Sequence, residues 1–140
     1  MNSELAISFH ILGYLTSRGG EPLTSEQMAR TYGTSPVVLR RVLAKLQRAG
    51  LVETRRGVGG GSVLACEPGA ITLRDAYEAV AADTEILRKH PGGCHERVAK
   101  VVSGFVNEIC REAEDALLAQ LESVTVAEMD REIRSRLGCG

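Results

Sequence analysis

The sequence has no apolar run of 18 or more residues, and no basic segment precedes an apolar stretch at its start. A membrane-spanning helix needs about 20 consecutive apolar residues, and a secretory signal needs both features. We therefore expect no membrane partner and a cytosolic, cytoplasmic protein. With 140 residues, 44% apolar and 25% charged, the chain fits one compact domain, or a small domain with an accessory helix.

Cysteines are few and scattered, at Cys66, Cys94, Cys110 and Cys139. No C-x-x-C pair is present, which argues against a structural zinc site, and a cytosolic setting would keep the thiols reduced. The sequence also lacks a Ser/His/Asp or Cys/His arrangement and paired carboxylates in a recognisable loop. We therefore expect neither an enzyme nor a structural metal site.

The formal net charge of -1 conceals a strong asymmetry along the chain. Residues 30–56 carry seven basic side chains against one acidic side chain, whereas residues 107–122 carry five acidic against one basic. The basic segment could simply be a solvated surface, but the concentration of positive charge within 27 residues favours contact with a polyanion.

Capping residues predict two short helices in the basic part of the chain. Thr24 and Gln27 have the spacing of a capping box, and Gly33 is suited to end the helix that they open. Ser35 can cap the next helix, with Pro36 at its first position. Two short helices joined by a tight glycine turn are typical of a helix-turn-helix.

The helix that follows Ser35 has an apolar stripe at Leu39, Val42, Leu43 and Leu46, and basic side chains elsewhere. By itself this pattern describes an ordinary amphipathic helix. As the second helix of a helix-turn-helix, however, it is expected to contact base edges through its N-terminal half and phosphates through its C-terminal half. Base contacts are predicted at Ser35, Val37, Val38, Arg40 and Arg41, and phosphate contacts at Lys45 and Arg48, with Thr24 as a further DNA contact.

A glycine-rich hairpin is predicted after Gly50, with strands over residues 51–55 and 62–66. The tip differs from a phosphate-binding nucleotide loop because it lacks the lysine and leads into a strand. Arginines beside a glycine turn suit phosphate or a narrow minor groove. The predicted contacts are Arg55, Arg56, Gly57, Gly59 and Gly60.

The remaining segments predict four more helices: one from Ser3 to about residue 18, one capped by Thr72, a long one over 95–122 and a last one capped by Thr125. The expected fold is mainly α with a small β-hairpin wing. We divide it into a winged helix-turn-helix (1–68), a connecting helix and loop (69–93), and a C-terminal helical segment (94–140).

The long helix carries an apolar stripe that a small winged domain cannot cover. The stripe comprises Val98, Val101, Val102, Phe105, Ile109, Ala113, Ala116, Leu117 and Leu121. It could pack within one chain, but its length favours pairing with a second copy in a homodimer.

The sequence Gly50-Leu51-Val52-Glu53, running into Arg56-Gly57-Val58-Gly59-Gly60-Gly61 after a capped basic helix, resembles the Rrf2 family of bacterial winged-helix transcription regulators. The resemblance covers residues 2–137. It implies a homodimer that places recognition helices in successive major grooves of a palindromic operator in double-stranded DNA. It also implies that the wings reach the minor groove through Arg56 and its glycine neighbours.

The resemblance implies two kinds of sensor. Cluster-binding members of the family carry three cysteines in the loop before the long helix, whereas this chain has only Cys94 there. Cys94, flanked by His95 and Arg97 near a helix start, is a candidate redox or thiol-reactive sensor of a repressor that needs no cofactor. The alternative is an iron–sulfur cluster with mixed ligands, for which Glu4, Cys94, His95 and Glu112 are candidates. An alternative to DNA binding itself is a winged-helix module whose basic surface binds an acidic protein.

Overall fold

The structure, a computed structural model, describes residues 3–81 and 97–138. The predicted mainly helical fold with a β-hairpin wing is confirmed. Its helices and strands, in chain order, are α1 (Ser3–Ser17), α2 (Ser25–Tyr32), α3 (Pro36–Arg48), β1 (Val52–Arg55), β2 (Gly61–Leu64), α4 (Leu73–Ala81), α5 (Arg97–Glu122) and α6 (Val126–Arg136), with a 3-10 turn at Pro68–Ala70.

The caps of α2 and α3 form as the sequence predicts. The Thr24 hydroxyl accepts a hydrogen bond from the Gln27 N–H at 3.2 Å, and the Thr24 N–H donates to Gln27 Oε1 at 2.9 Å. Gly33 ends α2 in the left-handed conformation with φ of 80°, and Ser35 accepts from the Val37 N–H at 3.2 Å. Because both caps are satisfied locally, the turn between the two helices is short and its geometry is well defined.

One apolar core joins the winged unit to the elements that follow it. The four predicted inward residues of α3 are all buried, and they share the core with Ile11 and Leu12 of α1. Ile71, which precedes α4, and Val126 of α6 belong to the same cluster and are fully buried. The C-terminal half of the chain therefore supports α3 from its buried side.

The wing differs from the predicted hairpin at its second strand. β2 begins at Gly61 and ends at Leu64, pairing Val52 with Leu64 and Arg55 with Gly61. Cys66, which was predicted to end this strand, consequently lies beyond it and is exposed. Its thiol lies 3.5 Å from the Gly50 carbonyl oxygen.

A backbone bridge attaches the wing to the segment between α1 and α2. The Leu23 N–H donates to the Ser62 carbonyl at 3.1 Å, and the Ser62 N–H donates to the Leu23 carbonyl at 2.7 Å. Gly61, next to this bridge, has no space for a side chain, since an ideal Cβ there would lie 2.6 Å from the Leu23 carbonyl oxygen. The close approach explains why this strand begins with glycine.

The C-terminal helices are tied to the start of α4. Thr72 and Asp75 exchange backbone-to-side-chain hydrogen bonds at 2.9 and 3.1 Å, as predicted, and Thr125 forms the predicted capping box with Glu128. Thr72 and Thr125 also form an isolated antiparallel bridge. By contrast, Ile133 of α6 and Leu137, which follows the helix, are 43% and 72% exposed.

The long helix α5 leaves most of its apolar stripe uncovered. None of its described side chains is buried, and only Leu117, Leu118 and Leu121 near its end pack against the core. We call the remaining apolar side chains the exposed α5 face. It comprises Val98, Val101, Val102, Phe105, Val106 and Ile109, which are between 47% and 72% exposed.

Candidate nucleic-acid interface

A groove of about 480 Å³ lies between α3 and the wing. Its walls are the first turn of α2, the outer side of α3 and the β1–β2 tip, with Arg40 and Arg55 among its lining residues. The Gln47 side-chain amide of α3 donates to the Thr54 hydroxyl of β1, which ties the helix to the hairpin. The two predicted DNA-contacting elements thus form one continuous surface.

The predicted base contacts at the start of α3 do not all face outward. Ser35, Val37 and Arg41 are exposed, and Val37 is 63% exposed although it is apolar. Val38 is half-buried and packs against the core. Val37 is therefore the better placed of the two valines to contact a thymine methyl group.

Arg40 is held by the first turn of α2. Its Nη2 donates to Glu26 Oε1 at 3.2 Å, and its Nε donates to the Ser25 hydroxyl at 3.4 Å. The pKa of Glu26 lies below the ordinary glutamate value because its carboxylate accepts hydrogen bonds from the Glu26 backbone and from the Ser25 side chain, with Arg40 nearby. Neither Ser25 nor Glu26 was predicted from the sequence as part of the interface.

Arg41 and Lys45 share an acidic partner from α1. Glu4 Oε2 lies 2.7 Å from Lys45 Nζ, and Glu4 Oε1 lies 3.6 Å from Arg41 Nη1. The side chain of Lys45 is only 11% exposed, whereas that of Arg41 is 59% exposed. Lys45, predicted as a phosphate contact, therefore joins α3 to α1 in this structure, and its ammonium group is poorly placed to reach a phosphate.

The other predicted cations remain on the surface. Arg48 at the end of α3 and Arg55 and Arg56 before the wing tip are all exposed. The tip itself is a tight turn in which the Gly60 N–H donates to the Gly57 carbonyl at 3.0 Å. Of these three, Arg55 lines the groove, and positive charge on such a surface favours a polyanion.

The predicted mixed-ligand cluster site is not assembled by the described residues. Glu4 is engaged by Arg41 and Lys45, and Glu112 is an exposed side chain of α5. Cys94 and His95 lie outside the described residues. Within residues 3–81 and 97–138, no group of three or more His, Cys, Asp or Glu side chains could hold a metal ion. The mixed-ligand cluster therefore stays a prediction, because two of its four candidate ligands lie outside these ranges.

In the same described ranges, no helix has the length and apolar character needed to cross a membrane.

The fold and this surface define a winged-helix DNA-binding protein. The family model for Rrf2, described as an iron-dependent transcriptional regulator, matches residues 1–132. The chain therefore belongs to the Rrf2 family and is a DNA-binding transcription regulator, not an enzyme.

Individual relatives agree with this assignment. The chain is 30% identical over 130 residues to YwnA of Bacillus subtilis, an HTH-type transcriptional regulator by name, covering 92% of this chain and 96% of YwnA. It is 31% identical over 123 residues to the transcriptional regulator NsrR of Bacillus subtilis, covering 87% and 84%. The structure of IscR from T. potens superposes with a TM-score of 0.74 at 23% identity, covering 97% and 89%, and so shares the fold.

Proposed function

We propose that this regulator is a homodimeric repressor that binds a palindromic operator with α3 in the major groove and the wing in the minor groove. The observation that carries the proposal is the groove between α3 and the wing, which Arg40 and Arg55 line, together with exposed Arg41 and Arg48 on α3 and Arg56 at the wing tip. Two such surfaces, related by a twofold axis, match a duplex with repeated half-sites.

The exposed α5 face supports the homodimer. Large apolar side chains along one side of a helix are costly to leave in water, and contiguous apolar patches usually mark an interface. Phe105 is 63% exposed and Val102 is 55% exposed in the middle of this face. A second copy would supply a surface of the same composition, as a twofold interface requires.

DNA binding should weaken steeply as salt rises. Each phosphate neutralised by an arginine contributes about -0.9 to the slope of log K against log salt, so contacts from both copies predict a strongly negative slope. Fluorescence anisotropy with an operator selected from random duplexes, measured over a range of potassium chloride concentrations, tests this expectation. An affinity indifferent to salt, or no selected duplex at low ionic strength, would refute the proposal.

We further propose that Cys94 makes binding sensitive to oxidants or electrophiles without a cofactor. The support lies in the sequence: Cys94 follows Pro91-Gly92-Gly93 and is flanked by His95 and Arg97, which favour a thiolate. Of the other cysteines that the structure describes, Cys110 is half-buried on α5 and Cys66 is exposed just after β2.

A Cys94→Ser variant should keep its operator affinity after mild peroxide treatment, whereas the wild-type protein should lose it. Binding before and after treatment, followed by return with a thiol reductant, measures the effect. Cys66→Ser is the matched control because Cys66 is an exposed cysteine of the winged unit, and this variant should respond as the wild type does. Brown, anaerobically purified protein with charge-transfer absorbance would instead show an iron–sulfur cluster and overturn the cofactor-free mechanism.

A further inference from the structure

Glu26 is an acidic side chain on a surface that otherwise suits a polyanion. It lies in the first turn of α2, lines the groove beside α3, and its side chain is 58% exposed. A carboxylate near DNA phosphates weakens binding through like-charge repulsion. Glu26 therefore cannot serve to raise affinity, and its contribution must be sought in its contact with Arg40.

The contact with Arg40 leaves one particular edge of the guanidinium available. Ser25 and Glu26 accept from Nε and from one N–H of Nη2. The remaining N–H groups are both of those on Nη1 and the second on Nη2. Of these three, one on Nη1 and one on Nη2 are the pair of donors that an arginine presents end-on to two acceptors.

We propose that Ser25 and Glu26 hold Arg40 so that its free end donates to O6 and N7 of a guanine, which makes Glu26 a positioning residue for sequence recognition. Guanine presents two acceptors side by side in the major groove, and arginine is the side chain that fits them best. This inference rests on the proposed DNA-binding function and deepens it. It places a guanine in each half-site of the operator, opposite Arg40.

Fixing the arginine in advance explains why a carboxylate is tolerated here. A free arginine has many rotamers and contacts phosphates as readily as bases, whereas a held one loses little additional freedom on binding. The ion pair is also nearly neutral, so Arg40 contributes less to general attraction than the exposed arginines of the wing. Arg40 should accordingly affect sequence preference more than the salt slope.

The test compares operator and non-specific duplex affinities for wild type and Glu26→Gln. We expect the ratio of operator affinity to non-specific affinity to fall about 10-fold in Glu26→Gln, with the non-specific affinity unchanged or raised. The variant should also tolerate replacement of one guanine in each half-site better than the wild type does. Glu132→Gln is the matched control because Glu132 also forms an exposed ion pair, with Arg136 at 2.8 Å. Its affinity ratio should equal that of the wild type.

Arg40→Lys provides the second arm, since it keeps the charge but loses the planar fork. It should remove the guanine preference, and adding Glu26→Gln to it should lower the ratio no further, because the two residues act as one unit. If Glu26 only stabilised the start of α2, Glu26→Gln would lower the thermal midpoint and both affinities together, and the ratio would stay constant.

The outcomes separate the two proposals. Absence of any sequence-selective duplex for the wild type would refute the proposed function. The positioning role alone would be overturned if the wild type is selective and Glu26→Gln leaves its affinity ratio unchanged. It would also be overturned if Arg40→Lys alters the preference for no guanine of the half-site.

Discussion

A Phe105→Glu variant should be monomeric in solution and should bind the operator about 100-fold more weakly than the wild type. Phe105 lies in the middle of the exposed α5 face and is 63% exposed. Two copies of a new carboxylate would be forced into an apolar interface without partners, which opposes pairing. Loss of the pair removes the second half-site contact and, with it, the gain from a high effective concentration. Sedimentation velocity and operator anisotropy measure the two effects.

The neighbouring glycine provides the control. Gly104 is exposed, no atom lies within 4 Å of a Cβ built on it, and it is about 100° around the helix from Phe105. Gly104→Glu adds the same charge and should leave both mass and affinity near wild-type values. A Phe105→Glu protein that stays dimeric, with operator affinity intact, would show that the exposed α5 face is not the interface.

A Gly61→Ala variant should unfold more readily, with a free energy of unfolding lower by about 2 kcal/mol. The added methyl group would lie 2.6 Å from the Leu23 carbonyl oxygen, so the bridge between Leu23 and Ser62 must open or the hairpin must shift. Because the wing carries Arg55 and Arg56, its displacement should weaken DNA binding as well. Urea unfolding followed by circular dichroism, and operator anisotropy, measure the two consequences.

Gly69→Ala is the comparison for this change. Gly69 lies in the 3-10 turn, and a Cβ there would meet no atom within 4 Å. Its stability should stay within a few tenths of a kcal/mol of the wild type, or rise slightly. A Gly61→Ala protein as stable as Gly69→Ala would show that the close approach to Leu23 does not oppose a side chain at this position.

Features that depend on neighbouring residues could be predicted from the sequence. The capping boxes at Thr24 and Thr125 and the buried stripe of α3 involve side chains within one or two helical turns of one another, so spacing alone specifies them. The wing arginines were also predictable as exposed, because the turn between them and β2 contains glycines.

Contacts between distant segments could not be predicted in this way. Glu26 and Arg40 are 14 residues apart and Glu4 and Lys45 are 41 apart, and both contacts depend on how the helices cross. A periodic pattern reports which face of a helix is apolar, but it does not report which neighbour supplies a carboxylate. For the same reason the sequence did not distinguish Lys45 from the exposed Arg48 as a phosphate contact.

The ion pair between Glu4 and Lys45 has a practical consequence for protein production. An affinity tag attached on the N-terminal side of α1 would lie close to Glu4, whose side chain contacts α3. A histidine-rich or charged tag would then alter the local field at Arg41 and bias measured affinities. Titrations should therefore use protein from which such a leader has been removed by a protease.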